Sequence, residues 1–300
     1  MTKRKDKSGR RSPRGGGNPG PRPAQKAPGQ APARPREGGR GSRRAGPRGG
    51  GQGLWLFGVH AVLAALANPN RRPERLLTTP EAAQTWGARL REVRDPRHAA
   101  LTVETVQRRE IDDLLPEGAV HQGLALRTAT LAQPALEDLL TPAGKGGNPP
   151  SRRVIVLLDQ VTDPHNVGAV LRSAAAFGAL AVVALDKGAP EESGTLAKSA
   201  SGALETVPYI SVVNLARSLD LLKEAGFWCL GLAGEAETTL AASDPGPAVA
   251  LVLGAEGPGL RRLTRERCDL LVKLPTRPPI DSLNVSNAAA VALYELLGRG

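Results

Sequence analysis

The chain has 300 residues, with 40 Lys and Arg against 29 Asp and Glu, a formal net charge of +11. That length allows one or two folded domains, and no apolar run reaches the roughly 18 residues of a membrane-spanning helix. Two isolated cysteines, Cys229 and Cys268, make no disulfide framework, and no Cys/His cluster has zinc spacing. The composition reads as that of a cytoplasmic chain without structural metal.

The positive charge is concentrated at one end. Residues 1–53 hold 15 Lys and Arg and two acids, Asp6 and Glu37, while the other 247 residues carry a net charge of −2. The tail contains no Leu, Ile, Val, Phe, Trp or Tyr, and it has 14 Gly and 8 Pro. It cannot bury apolar surface to offset chain entropy, so it is expected to be disordered. No apolar segment follows its early positives, which argues against a signal peptide. Gly, Pro and a shortage of Ser argue against a transit peptide. Two readings remain, a polycationic arm for nucleic-acid phosphates and a solubilising extension.

Folded sequence begins at Leu54, with Trp55, Leu56 and Phe57 following. Residues 59–67 read as a helix, 75–79 as a strand, 81–93 as a helix, 100–104 as a strand, 121–130 as an alternating strand and 136–140 as helical. This predicts a small α/β domain over 54–140. Residues 141–152 (TPAGKGGNPPSR) are a Gly/Pro linker by composition.

The rest, 153–300, alternates again. Strands are expected at 154–158, 181–185, 207–213, 228–233, 248–253 and 270–274. Helices are expected at 167–177, 195–204, 215–225, 260–267 and 287–297. The continuous apolar run at 154–158 is typical of a strand buried on both faces. The alternation predicts a mostly parallel sheet covered by helices on both faces. Ligands of such sheets bind outside the carboxyl ends of the strands, which singles out three loops.

The first loop, LDQVTDPHNVGAVLRSAAAFGA (158–179), turns at Asp163-Pro164 and presents Asn166 and Gly168 at a helix start, with Arg172 six residues after Asn166. An Arg there suits an anion. The second, LVLGAEGPGL (251–260), runs into Gly254, Gly257 and Gly259 with Glu256 between them; such glycines let backbone approach a ligand. Its spacing matches neither the dinucleotide fingerprint nor a phosphate-binding Walker loop. The third, VKLPTRPPIDSLNVSNAAAVALYELL (272–297), leaves a strand at Leu274-Pro275 and places Ser282, Leu283, Asn284 and Ser286 before an apolar helix. A helix cap explains one of these polar groups, not the cluster.

Together the loops, N-x-G-x-x-x-R, G-x-E-x-x-G-L and S-L-N-V-S in that order, resemble the three motifs of the SpoU (TrmH) family of RNA ribose 2′-O-methyltransferases, within the knotted SPOUT superfamily. The resemblance covers nearly all of 54–300. FGVHAVLAAL (57–66) and HQGLAL (121–126) look like the small substrate-binding domain of the ribosomal-RNA branch. KSASGALETVPY (198–209) resembles the segment between that family's first two motifs.

The resemblance implies an α/β catalytic domain with a deep trefoil knot, preceded by a small α/β, L30e-like substrate-binding domain and the basic tail. It implies S-adenosyl-L-methionine as cofactor, held around Gly254, Leu274, Leu283 and Ser286, and a homodimer with the site near the subunit interface. It implies catalytic roles for Arg172, Asn166, Glu256 and Asn284, with Arg172 and Ser282 on the RNA. The family's proposed base is the Arg; a guanidinium keeps its proton, so a phosphate clamp is the physically safer role. The bend holds Pro278 and Pro279 where the family commonly has a Gly, and these remove N–H donors. The expected activity is methylation of a guanosine ribose in 23S rRNA. The alternatives are a tRNA guanosine 2′-O-methyltransferase and an inactive RNA-binding assembly factor of the same fold; retention of Arg172, Glu256 and Asn284 argues against the latter.

Overall fold

The computed structural model describes residues 53–140 and 152–298. Residues 1–52 of the basic tail and residues 141–151 of the linker lie outside these residues. Among the described residues, no helix is long and apolar enough to cross a membrane.

The first sheet has four strands: β1 (Leu54–Phe57), β2 (Pro73–Thr78), β3 (Thr102–Thr105) and β4 (Leu124–Thr128). Their order is β1-β4-β2-β3, with β4 antiparallel to both neighbours and β3 parallel to β2. Leu124, Ala125 and Leu126 are wholly buried, as befits a central strand. Helices α1 (Val59–Ala67) and α2 (Pro80–Val93) pack beside it, with a short α3 (Arg108–Asp112). Helix α2 starts at Pro80, and the Thr79 side chain caps it by accepting the Ala82 N–H.

The second sheet has seven strands: β5 (Arg153–Asp159), β6 (Ala181–Leu185), β7 (Tyr209–Val212), β8 (Trp228–Leu232), β9 (Thr238–Thr239), β10 (Ala248–Gly254) and β11 (Leu270–Lys273). The order is β7-β6-β5-β10-β8-β11-β9, and every neighbouring pair is parallel. The connecting helices are α4 (Pro164–Phe177), α5 (Gly194–Ala200), α6 (Leu215–Glu224), α7 (Arg262–Arg267) and α8 (Val285–Leu293). The pleat sorts the apolar run of β5 onto two faces. Val154, Val156 and Leu158 join a cluster with α4, α5 and α8, while Ile155 and Leu157 join one with α6. The first cluster continues into α1 and β4 of the small sheet.

From β5 the chain winds outward through β6 and β7, then returns to build the other half of the sheet from β8 onward. The order therefore reverses between β5 and β10, whose last residues Asp159 and Gly254 face each other in register. A crevice opens at such a reversal.

Several element boundaries differ from expectation. The helix predicted at 167–177 starts at Pro164, because the Asp163 carboxylate caps it by accepting the His165 N–H at 3.0 Å. The helix predicted at 195–204 breaks at Ser201 and Gly202, whose φ values are +51° and +94°, and resumes as a 3₁₀ turn at Ala203–Glu205. The strand predicted at 121–130 begins only at Leu124. Gln122 and Gly123 turn with φ of +56° and +78°, and the Gly123 N–H donates to buried His121 Nδ1, whose Nε2 faces Asp112 Oδ1 at 3.0 Å. The final helix starts at Val285, not 287, and its last turn, Tyr294–Gly298, widens to π geometry. Strand β1, helix α3 and the two-residue β9 were not among the predicted elements.

Candidate active site

The three loops picked out by sequence all leave the reversal point. The first begins where Asp159 ends β5. Its side chain is fully buried and accepts from the Arg261 backbone N–H at 2.9 Å and from Arg261 Nε at 2.6 Å. A buried carboxylate needs such charged and N–H partners. The pair ties the far end of the second loop to the start of the first.

The second loop folds tightly on itself. Ala255 and Gly259 form an antiparallel bridge, with the Gly259 N–H donating to the Ala255 carbonyl at 3.0 Å. A Cβ on Gly254 would lie 2.2 Å from the Gly259 carbonyl carbon and 2.4 Å from the Leu260 nitrogen, so only glycine fits where β10 ends. Gly257 and Gly259 adopt φ of +83° and +68°.

The third loop closes the arrangement through Asn284. Its Oδ1 accepts the Ser286 N–H at 2.9 Å, the Ser286 hydroxyl at 2.6 Å and the Asn287 N–H at 3.4 Å, capping α8. Its Nδ2 donates to Asn166 Oδ1 at 3.0 Å and to Glu256 Oε1. The donors on one side and the carboxylate on the other fix which way the amide points. One carboxamide thus joins all three loops. Asn166 lies in the first turn of α4 because Asp163 starts that helix early. Its own Nδ2 and the Glu256 Oε2 carry no hydrogen bond among the described residues.

Beside this junction is a cavity of about 610 Å³. Leu232, Leu253, Leu274 and Leu283 supply apolar wall; Gly254, Glu256, Ser282 and Asn284 also line it. Glu235 and Arg265, paired with each other, sit at it too; that pairing holds the Glu235 carboxyl below its usual range. Asn166 reaches the lining through Asn284, and Ser286 is held on the same side chain. Arg172 is on α4 two turns beyond the helix start; it is exposed, outside the cavity lining, and without a hydrogen bond or ion pair among the described residues. The side-chain partner of Glu256 is Asn284, not Arg172. Among the described residues, no group of three or more His, Cys, Asp or Glu could hold a metal ion.

Sequence reasoning missed Asp159, Arg261, Glu235 and Arg265. The signal for Asp159 was slight: a charged residue closing an apolar strand run. The rest depend on partners up to 102 residues apart, which no local pattern reveals.

Residues 153–294 match the SpoU rRNA Methylase family, and residues 55–134 match the family described as RNA 2'-O ribose methyltransferase substrate binding. The 23S rRNA (guanosine-2'-O-)-methyltransferase RlmB of Xylella fastidiosa is 41% identical over 244 residues, spanning 80% of this chain and 94% of that protein. The protein of the same name from Vibrio cholerae is 41% identical over 242 residues, with the same coverage of 80% and 94%. The SpoU methyltransferase AviRb from Streptomyces viridochromogenes has a similar fold, with a TM-score of 0.67 at 21% identity over 83% of this chain and 90% of that one. Identity at this level across four fifths of the chain makes it a member of the SpoU rRNA methylase family.

Proposed function

We propose that the chain transfers a methyl group from S-adenosyl-L-methionine to the ribose 2′-hydroxyl of a guanosine in 23S rRNA. The observation that carries this is the Asn284 side chain, which brings Asn166 and Glu256 together at the rim of the cavity. The name of the relatives at 41% identity supports the substrate.

The cavity suits the cofactor. Its volume of about 610 Å³ falls within the usual range for small-molecule sites. Its leucines can cover an adenine, backbone groups of the tight Gly254–Gly259 turn can bond the base edge, and the Glu256 carboxylate complements a cation. The cofactor supplies an electrophilic methyl group on a sulfonium. Gly254, Leu274 and Leu283 would hold it, with Ser286 fixed through Asn284.

The 2′-oxygen must be aimed along the line of displacement and must lose its proton as the new bond forms. Asn166 offers a free Nδ2–H to the ribose, and Asn284 and Glu256 hold that amide in place. The guanidinium of Arg172 grips the phosphate next to the target and stabilises negative charge developing on the oxygen, while phosphate or water takes the proton. Ser282 bonds the RNA.

In this reading 54–140 is the substrate-binding domain, 153–300 the catalytic domain with a trefoil knot, and 1–53 an arm for RNA phosphates. The chain works in the cytoplasm as a homodimer; the exposed Val291 and Tyr294 on the outer side of α8 and its last turn support a partner there.

The test is incubation of the full chain, in parallel, with 23S rRNA and with tRNA and cofactor labelled in the methyl group, followed by mapping of 2′-O-methyl riboses. One labelled guanosine is expected. Label in tRNA alone would move the substrate, and no incorporation would refute the reading.

A further inference from the structure

Arg71 lies in the loop between α1 and β2, and its side chain is wholly buried. All three of its guanidinium nitrogens have a hydrogen-bond partner. Nε and Nη2 fork onto Glu205 at 2.9 and 2.7 Å, Nη1 meets Glu192 Oε1 at 2.5 Å, and Nη1 also donates to the Ala129 carbonyl at 3.0 Å. Both carboxylates are nearly as buried, at 5% and 7% exposed. Both carboxylates take a further donor from the same side as Arg71. Asn68 Nδ2 donates to Glu205 Oε2 at 2.7 Å, and the Leu131 N–H donates to Glu192 Oε2 at 2.9 Å. Burial alone would pull the Arg71 pKa down, yet the two carboxylates leave it raised. The cluster therefore joins the small-sheet part of the chain to two acids of the seven-stranded part.

Those acids bracket α5. The start of that helix sits on β1, where a Cβ on Gly194 would lie 2.4 Å from the Trp55 carbonyl oxygen. Lys198 Nζ donates to the Val120 carbonyl and lies 6.0 Å from the centre of the Phe57 ring. The other side of α5 is pressed on α4. A Cβ on Gly168 would lie 2.3 Å from Ser199 Cβ, and the Ser199 hydroxyl is 3.0 Å from His165 Nδ1. The neighbour of His165 is Asn166, the residue that Asn284 holds. Contact is continuous from Arg71 through α5 and α4 to the rim of the cavity.

Apolar contacts resist separation but have no direction, so on their own they permit sliding. A buried bidentate fork does not, because any rotation strands a desolvated charge. We propose that Arg71, with Glu192 and Glu205, is a positioning clamp. It sets the distance and angle between the RNA-holding sheet and the methyl-transfer pocket, and so selects which nucleotide reaches Asn166. This rests on the proposed function. It also explains two stretches singled out in the sequence, FGVHAVLAAL and KSASGALETVPY, as two sides of one joint.

Two variants test it in the full chain. Arg71→Lys keeps the charge and loses the fork. The triple variant Arg71→Met, Glu192→Gln, Glu205→Gln leaves no buried charge stranded. Rates are taken per cofactor-binding site counted by titration, so that loss of folded protein does not enter. Cofactor affinity is expected to be unchanged, amide exchange at 194–200 to rise about tenfold, and kcat on 23S rRNA to fall about a hundredfold with KM little altered. Methyl groups are expected to spread to nucleotides flanking the target. An unchanged rate at a single position overturns the clamp. So does loss of cofactor binding in both variants, which would make the cluster part of the catalytic fold itself. If the unaltered chain methylates no RNA, the proposed function fails, and the clamp is judged by exchange alone: faster exchange at 194–200 with intact cofactor binding supports it, and unchanged exchange overturns it.

Discussion

A single carboxamide, that of Asn284, caps α8 and holds Asn166 and Glu256 at the cavity rim. Asn284→Ala removes both functions. It is expected to cost about 1 kcal/mol of stability as a lost cap, readable by denaturant unfolding, and to lower methyl transfer by about a hundredfold. Arg172→Ala is expected to abolish methyl transfer while cofactor binding, followed by calorimetry, persists; retained turnover would remove Arg172 from the chemistry. The polar residues of this junction were legible in the sequence because they crowd into short loops beside apolar strands, where a surface explanation is poor. Asp159, Arg261 and Arg71 were not. Each is a charged residue that reads locally as solvated; the burial of Asp159 and Arg71, and the pairing of Arg261 with Asp159, depend on partners 102 or 134 positions away.

Elements follow from the sequence where burial is uniform. Strands β5, β6 and β10 are apolar runs enclosed on both faces, and their pattern leaves little choice. Helix α3 went unread because only Ile111 of its five residues is buried, and β9 is two residues held by its neighbour β11. Close approach at the end of β10 makes Gly254→Ala a direct probe. Its Cβ would meet loop backbone, which cannot swing aside as a side chain can. A loss of about 1–3 kcal/mol and weaker cofactor binding are expected, checked by unfolding and titration. The thiols of Cys229 on β8 and Cys268 after α7 test the packing of this half of the sheet. Burial pushes each up to about 12 from 9.0. At pH 8 both are expected to resist alkylation until the chain unfolds, as seen by mass spectrometry. The sign for stability follows: the unfolded thiols ionise first, so stability is intact below pH 9.0 and declines as pH rises toward about 12.

At the scale of the whole molecule, the division of charge sets the salt response. Residues 1–53 carry a net +13 and the remainder −2. Removing residues 1–53 is expected to weaken RNA binding and flatten the slope of log affinity against log salt, with the methylated nucleotide unchanged. An equal slope in filter binding would make the segment inert for RNA. The α/β class and the parallel sheet were readable from strand-helix alternation. The strand order was not, because nothing local says that β5 pairs with β10 rather than with β8.

That pairing has a consequence for biosynthesis. The small sheet draws only on residues 54–128, whereas β5 must wait for β10, roughly a hundred residues later, before its second edge is covered. As the chain leaves the ribosome, domains generally fold as units, with earlier ones first. The four strands of the small sheet can therefore pair while the crevice between β5 and β10 has yet to exist, and a nascent chain stopped before Ala248 would display an open edge on β5.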